Sequence, residues 1–190
     1  MKITLLQEEI SNVNAEGLVM PVDGIGCDIG GGTKAYTALK ASYSKESDSL
    51  EEQIELLGYI EKDIRLSKPI AHGHSRVFAG NETWKSLVVI AGFYHNLDDR
   101  IYTSQENADL LTQAIQSGVR ESVKHNLQSI AMTLMGTSGR VTAKESIFAL
   151  INGLAAVSRE RIEVKWCIPH DEDFQYAKTL SSYLEGSIIR

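Results

Sequence analysis

One stretch near the start constrains this chain more than any other. Leu18-Val19-Met20-Pro21-Val22 is a short apolar run, and Asp23 follows it. A loop carrying Gly24, Gly26, Gly30, Gly31 and Gly32 comes next, and it leads into Thr33-Lys34-Ala35. The apolar run predicts a buried strand. Thr33 predicts an N-cap for a helix running through Ala35, Ala38, Leu39 and Ala41. Glycine has no Cβ, so backbone amides in such a loop can approach a bound group closely. A helix N-terminus beyond the loop adds partial positive charge, and phosphate is its usual guest. Two readings follow: an anion-binding loop, or a βα connection that uses glycine only for its turns.

The remaining chain repeats the strand-then-helix order. Residues 2–6 are apolar and β-prone, 17–22 form the second strand, and 75–78 with 87–93 read as two strands joined around Ala79-Gly80-Asn81-Glu82. Leu87-Val88-Val89-Ile90-Ala91-Gly92-Phe93 is apolar throughout, as expected of a strand covered on both faces. Leu111, Ile115, Val119 and Val123 recur at helical spacing and predict an amphipathic helix over 105–126. Residues 44–63 are rich in acids but keep Leu50, Ile54 and Leu57 on one face, which predicts a surface helix with a solvated acidic side. Residues 129–135 predict a further buried strand. Thr142-Ala143-Lys144-Glu145 is a capping box that opens a helix to about residue 158. Residues 163–169 are the last strand, and Asp171 is a candidate cap for a final helix with Phe174, Ala177 and Leu180 inside. The expected fold is α/β: a three-layer α/β/α sandwich with a mixed central sheet, in one domain over residues 1–190.

A length of 190 residues is ample for a core, and the net charge of −6 argues against broad, salt-driven nucleic-acid binding. It leaves room for a local anion site built from amides. Cys27 and Cys167 are far apart and lack zinc-type or disulfide-framework spacing, so a reducing, cytoplasmic setting is the expectation. The N-terminus lacks the apolar length of a signal peptide. No apolar run approaches the roughly 20 residues of a membrane span.

The glycine loop follows the second strand, and Gly136-Thr137-Ser138-Gly139 follows the strand at 129–135. Ligands of α/β sheets collect at the C-terminal ends of parallel strands, so these two loops can clamp a diphosphate between them. Neither ends in Gly-Lys-Ser/Thr, and neither has GxGxxG spacing, which demotes a P-loop ATPase and a Rossmann dehydrogenase.

The order of these features resembles a macro domain, the ADP-ribose-binding module. Glu8-Glu9-Ile10-Ser11 stands where the family has a Gly-Asp-Ile-Thr-like turn. Val19-Met20-Pro21-Val22-Asp23 stands for its strand with an Asn-Ala-Ala-Asn-like end, and Gly30-Gly31-Gly32 for its triple glycine. Ser129-Ile130-Ala131, the loop at 136–139, Lys144-Glu145 and the tail from Ile168 to Phe174 follow in family order. The resemblance implies that Glu9, with Ile10 beside it, reads adenine and that Phe174 stacks on it. It implies that Gly30, Gly31, Gly32, Thr33, Gly136, Thr137, Ser138 and Gly139 surround the diphosphate; Asp28, five residues after Asp23 in the same loop, reads as an acid/base partner of Asp23 or a ribose contact, or as a residue that caps or turns the loop. Three departures bear on function. Glu9 replaces an aspartate. Arg140 stands where an aromatic residue is usual, and it is either a phosphate partner or a solvated loop arginine. Asp23 replaces the asparagine that holds the distal ribose in many hydrolases; a carboxylate accepts hydrogen bonds but cannot donate as an amide does.

The expected function is binding of ADP-ribose, a related NAD-derived nucleotide or an ADP-ribosylated macromolecule. The alternative is an ADP-ribosyl or ADP-ribose phosphate hydrolase with Asp23 as the catalytic residue. A third reading is a macro-fold interaction domain whose pocket is filled by Met20 or Met135. No cofactor is expected. Cys27 reads either as a thiolate nucleophile or as a small loop residue. His72-Gly73-His74 reads as two metal ligands lacking a third, or as a loop.

Overall fold

The computed structural model describes residues 1–23, 33–46, 69–94, 102–138 and 140–182, with single positions 49, 58 and 62. The described strands are β1 (Lys2–Leu6), β2 (Gly17–Asp23), β3 (Ser75–Ala79), β4 (Ser86–Phe93), β5 (Ser129–Thr133) and β6 (Glu163–Cys167). The described helices are α1 (Lys34–Glu46), α2 (Ser104–Lys124), α3 (Ala143–Ala156) and α4 (Asp171–Ser182). A short 3-10 turn, Ile10–Asn12, lies between β1 and β2. The acidic helix expected over 44–63 falls mostly outside the described residues.

The strands form one sheet in the order β1-β6-β5-β2-β4-β3. Every neighbouring pair is parallel except β3 and β4, which form the antiparallel hairpin expected from the sequence. The fold is therefore the mixed α/β sandwich that the alternating pattern implied. Alternate residues of the central strands feed two cores. Val19, Val88, Ile90, Ile130, Met132 and Trp166 face α2, α3 and α4. Leu18, Met20, Val22, Leu87, Val89 and Ala91 face α1 and the 3-10 turn. Leu87 through Ala91 are wholly buried, which explains the unbroken apolar run of β4. Burying each large aliphatic side chain contributes roughly 1.5–3 kcal/mol, so β4 is the anchor of both layers.

Helix starts follow local chemistry. The Thr33 hydroxyl accepts the Tyr36 amide at 3.1 Å, as a cap of α1 should. Thr142 and Glu145 form the expected reciprocal box at α3. Thr103 and Glu106 form a second box at α2, carried by a threonine three residues before a glutamate. Asp171 does not cap α4. The helix already includes it, because the Phe174 amide donates to the His170 carbonyl at 2.9 Å. Asp171 instead accepts from Gln7 at 3.2 Å and Gln175 at 3.3 Å, and its charge suits the first turn. Strand β5 stops two residues short of expectation, since the Met135 amide turns to the Ser146 hydroxyl at 3.0 Å.

Two outcomes test this account. Thr142→Ala removes the box and is expected to lower unfolding free energy by about 1 kcal/mol, read from denaturant titration. The Glu16 carboxylate accepts the Gln128 amide at 2.7 Å and pairs with Lys85 at 3.3 Å. The Gln128 amide is the main cause that holds Glu16 below its ordinary pKa; burial opposes it, and the hydrogen bond and charge of Lys85 add to the lowering. Its folded value lies below its unfolded one, so its stabilisation is present above the unfolded pKa and is lost as pH falls through the folded value. Glu16→Gln is expected to flatten the stability profile on the acid side of about pH 5 and leave its neutral plateau unsloped.

Candidate functional site

Strand β2 pairs with β4 along its whole length, but with β5 only at Gly17 and Leu18. Beyond that point β2 and β5 diverge toward their C-terminal ends. Pro21, which has no N–H to give a ladder, sits in this singly paired stretch. Chain connections leave β2 toward β4 and leave β5 toward β6, so the divergence lies at the switch point where α/β sheets collect ligands.

A cavity of about 400 Å³ occupies this position. Pro21 lines it from β2, and Thr33, Lys34 and Ala35 from the start of α1. Residues Thr133 through Ser138 supply its wall from β5 and the following loop. Ala143 contributes from the start of α3, and Pro169, His170 and Asp173 from the start of α4. Three helix N-termini thus converge on one cavity. Their dipole ends favour an anion there, while the Asp173 carboxylate in the same wall opposes one.

The loop after β5 depends on Gly136. Its φ is +75°, and a Cβ there would lie 2.5 Å from two ring carbons of Phe93. The Gly136 carbonyl accepts the amides of Arg140 at 2.9 Å and Val141 at 3.0 Å, which closes the loop on itself. Only glycine meets both the backbone angle and the approach of the ring.

Thr33, Gly136, Thr137 and Ser138 are brought together in the wall of the cavity. Glu9 is not among the residues lining the cavity; its carboxylate pairs with Lys34, whose Nζ lies 3.1 Å and 3.4 Å from the two oxygens. Ile10 is buried beneath α1 in the core. Arg140 is half-buried, and it is not among the residues lining the cavity. Phe174 packs against the core of the α2–α4 layer, while its neighbour Asp173 reaches the cavity wall. Asp23 ends β2, where the register with β4 breaks and it pairs with Phe93. Asp28, Gly30, Gly31, Gly32, Gly139 and Cys27 lie outside the described residues. Lys34, His170 and Asp173 line the cavity without having been singled out in the sequence. Position after a helix cap was the available signal for Lys34, and position at a strand-to-helix junction for the other two.

Cys167 is wholly buried, and desolvation first, with the charges of Glu8 and Glu9 after it, pushes its thiol up to about 12. That thiol stays protonated at neutral pH. His72 packs its ring edge-on against Tyr94 at 4.8 Å, and Tyr94 stacks on Tyr102 at 4.1 Å. Among the described residues no group of three or more His, Cys, Asp or Glu is placed to hold a metal. No helix among them is long and apolar enough to cross a membrane.

No protein-family model matches this chain, and no curated protein matches it in sequence. Solved structures match it over nearly its whole length. The Oceanobacillus iheyensis macrodomain with ADP has a TM-score of 0.67 at 13% identity, covering 93% of this chain and 88% of that one. The macro domain of ganglioside induced differentiation associated protein 2 has a TM-score of 0.67 at 9% identity, covering 98% and 86%. The chain has the macro-domain fold. An alphavirus P23pro-zbd structure also matches, with a TM-score of 0.66 and 16% identity over the full chain. This chain spans 25% of that viral one. A mutant of the Oceanobacillus macrodomain has been solved with ADPR. At these identities the shared property is the fold, and the site stands on its own geometry.

Gly136→Val is expected to destabilise this macro-domain fold by about 1–3 kcal/mol through backbone strain and contact with Phe93. Denaturant titration checks it, and an unchanged midpoint would contradict the assigned geometry.

Proposed function

We propose that this chain binds ADP-ribose or a related NAD-derived nucleotide, free or carried on an ADP-ribosylated macromolecule. One observation carries the reading. A cavity of about 400 Å³ lies at the sheet's switch point, with the starts of α1, α3 and α4 in its wall. A nucleotide diphosphate matches that electrostatic arrangement, and the volume falls in the range of small-molecule sites. The hydroxyls of Thr33, Thr137 and Ser138 add neutral donors around an anion. Met135 forms part of the wall and leaves the cavity open, which counts against a pocket filled by its own methionines. The Oceanobacillus macrodomain structures with ADP and with ADPR support the choice of ligand class.

Hydrolysis at the same pocket is the second reading. It is favoured by the position of Asp23 at the end of β2 and by two ionisable residues, His170 and Asp173, in the wall. Asp23 would orient or deprotonate a water for attack on an ADP-ribosyl ester or a terminal phosphate.

Calorimetric titration with ADP-ribose tests the first reading. Saturable binding tighter than about 1 mM is expected, and heat indistinguishable from dilution at that concentration would remove it. Turnover of ADP-ribosylated protein that Asp23→Asn abolishes, with binding retained, would establish the second.

A further inference from the structure

Besides His170, the wall of the cavity carries a lysine and an aspartate: Lys34 at the start of α1 and Asp173 in the first turn of α4. The Lys34 ammonium is matched by Glu9, whose nearer oxygen lies at 3.1 Å. Asp173 has no such match. Among the described residues no hydrogen bond or ion pair reaches its carboxylate, and His170 in the same wall makes none to it. An acid at a helix start ordinarily serves to offset the dipole, but Asp171 and Glu172 already place two carboxylates in that turn. Those two are exposed, whereas Asp173 is half-buried and lines the cavity. An anion held at the starts of α1 and α3 therefore shares its cavity with an unmatched negative charge. A volume of about 400 Å³ leaves little distance between them, within the roughly 8–10 Å over which salt leaves charges coupled.

We propose that Asp173 is a charge-selecting residue, and that the nucleotide suited to this site carries a positive charge of its own beside the diphosphate, as the nicotinamide ring of an oxidised dinucleotide does. The inference rests on the nucleotide reading of the cavity. A carboxylate in the wall raises the free energy of every bound anion, and raises it further for each added negative charge. The oxidised dinucleotide has a cationic ring that cancels one of the two diphosphate charges. Its reduced form has a neutral ring and keeps both. The pair thus differs by one charge on one skeleton. Attraction of the ring and weaker repulsion of the whole ligand act in the same direction, so the preference holds whichever end of the ligand lies nearer α4. The helix N-termini attract any diphosphate, and Asp173 decides among them by what it repels.

The test is calorimetric titration of the wild-type chain and Asp173→Asn with NAD+, NADH and ADP-ribose at neutral pH. The readout is the ratio of the NADH and NAD+ dissociation constants. The wild-type chain is expected to bind NAD+ about fivefold or more tighter than NADH. Asp173→Asn keeps the shape and removes the charge; it is expected to tighten NADH more than NAD+ and bring the ratio within about twofold. A loosened start of α4 lowers both affinities together and does not imitate that result. Equal wild-type affinities, or a ratio that Asp173→Asn leaves unchanged, would overturn the proposal. Binding of ADP-ribose with neither dinucleotide bound would overturn it too, and leave the nucleotide reading standing. Binding of none of the three by the wild-type chain would instead remove the nucleotide reading, and this inference with it.

Discussion

The incomplete pairing of β2 with β5 is the constraint on which the rest of the structure depends. Full parallel pairing of β2 with β4 holds the centre of the sheet closed. Pairing with β5 at only Gly17 and Leu18 lets the other side open toward the C-terminal ends. A sheet paired throughout would bury its strand ends against one another. This one splits at the place where its connections diverge, and the split becomes a cavity. Pro21 suits the opening, since its missing N–H cannot extend a ladder toward β5.

The walls of that cavity are set by the layers on either side. Helix α1 comes from one face of the sheet, and α3 and α4 come from the other, yet all three begin at the same edge. Parallel strands require this, because each returning helix starts where its strand ends. The alignment of helix N-termini is therefore a product of topology, and the favourable field for an anion comes with it. The loop after β5 is tied down by unlike contacts. The Met135 amide meets the wholly buried Ser146 hydroxyl, and the Gly136 carbonyl takes two amides from beyond the turn. Gly136 lets that loop lie directly against Phe93, so the wall is packed as well as hydrogen-bonded.

Much of this was legible in the sequence, for reasons specific to each element. The unbroken apolar run of β4 announced a strand covered on both faces. The capping box at Thr142, the hydroxyl at Thr33 and the helical spacing of Leu111, Ile115 and Val119 announced three helices. Each of these signals is local, carried by residues within a few positions of one another. Ends of elements were less legible where a distant partner decides them. Strand β5 ends early because Ser146, eleven residues on, takes the Met135 amide. Asp171 looked like a cap, but the His170 carbonyl already accepts the first helical bond.

The sequence by itself determined the alternation of strands and helices, the middle hairpin, and two loops rich in small residues at strand ends. Those follow from periodicity and backbone preference, which act along the chain. Only the tertiary structure decided that β2 and β5 lie side by side and then part. It also decided that Lys34, His170 and Asp173 share a cavity, and that Glu9 meets an ammonium from a residue 25 positions away. Those facts depend on strand order and on where each helix starts. Both are set by burying two faces of one sheet at once, a condition no single segment of the chain expresses.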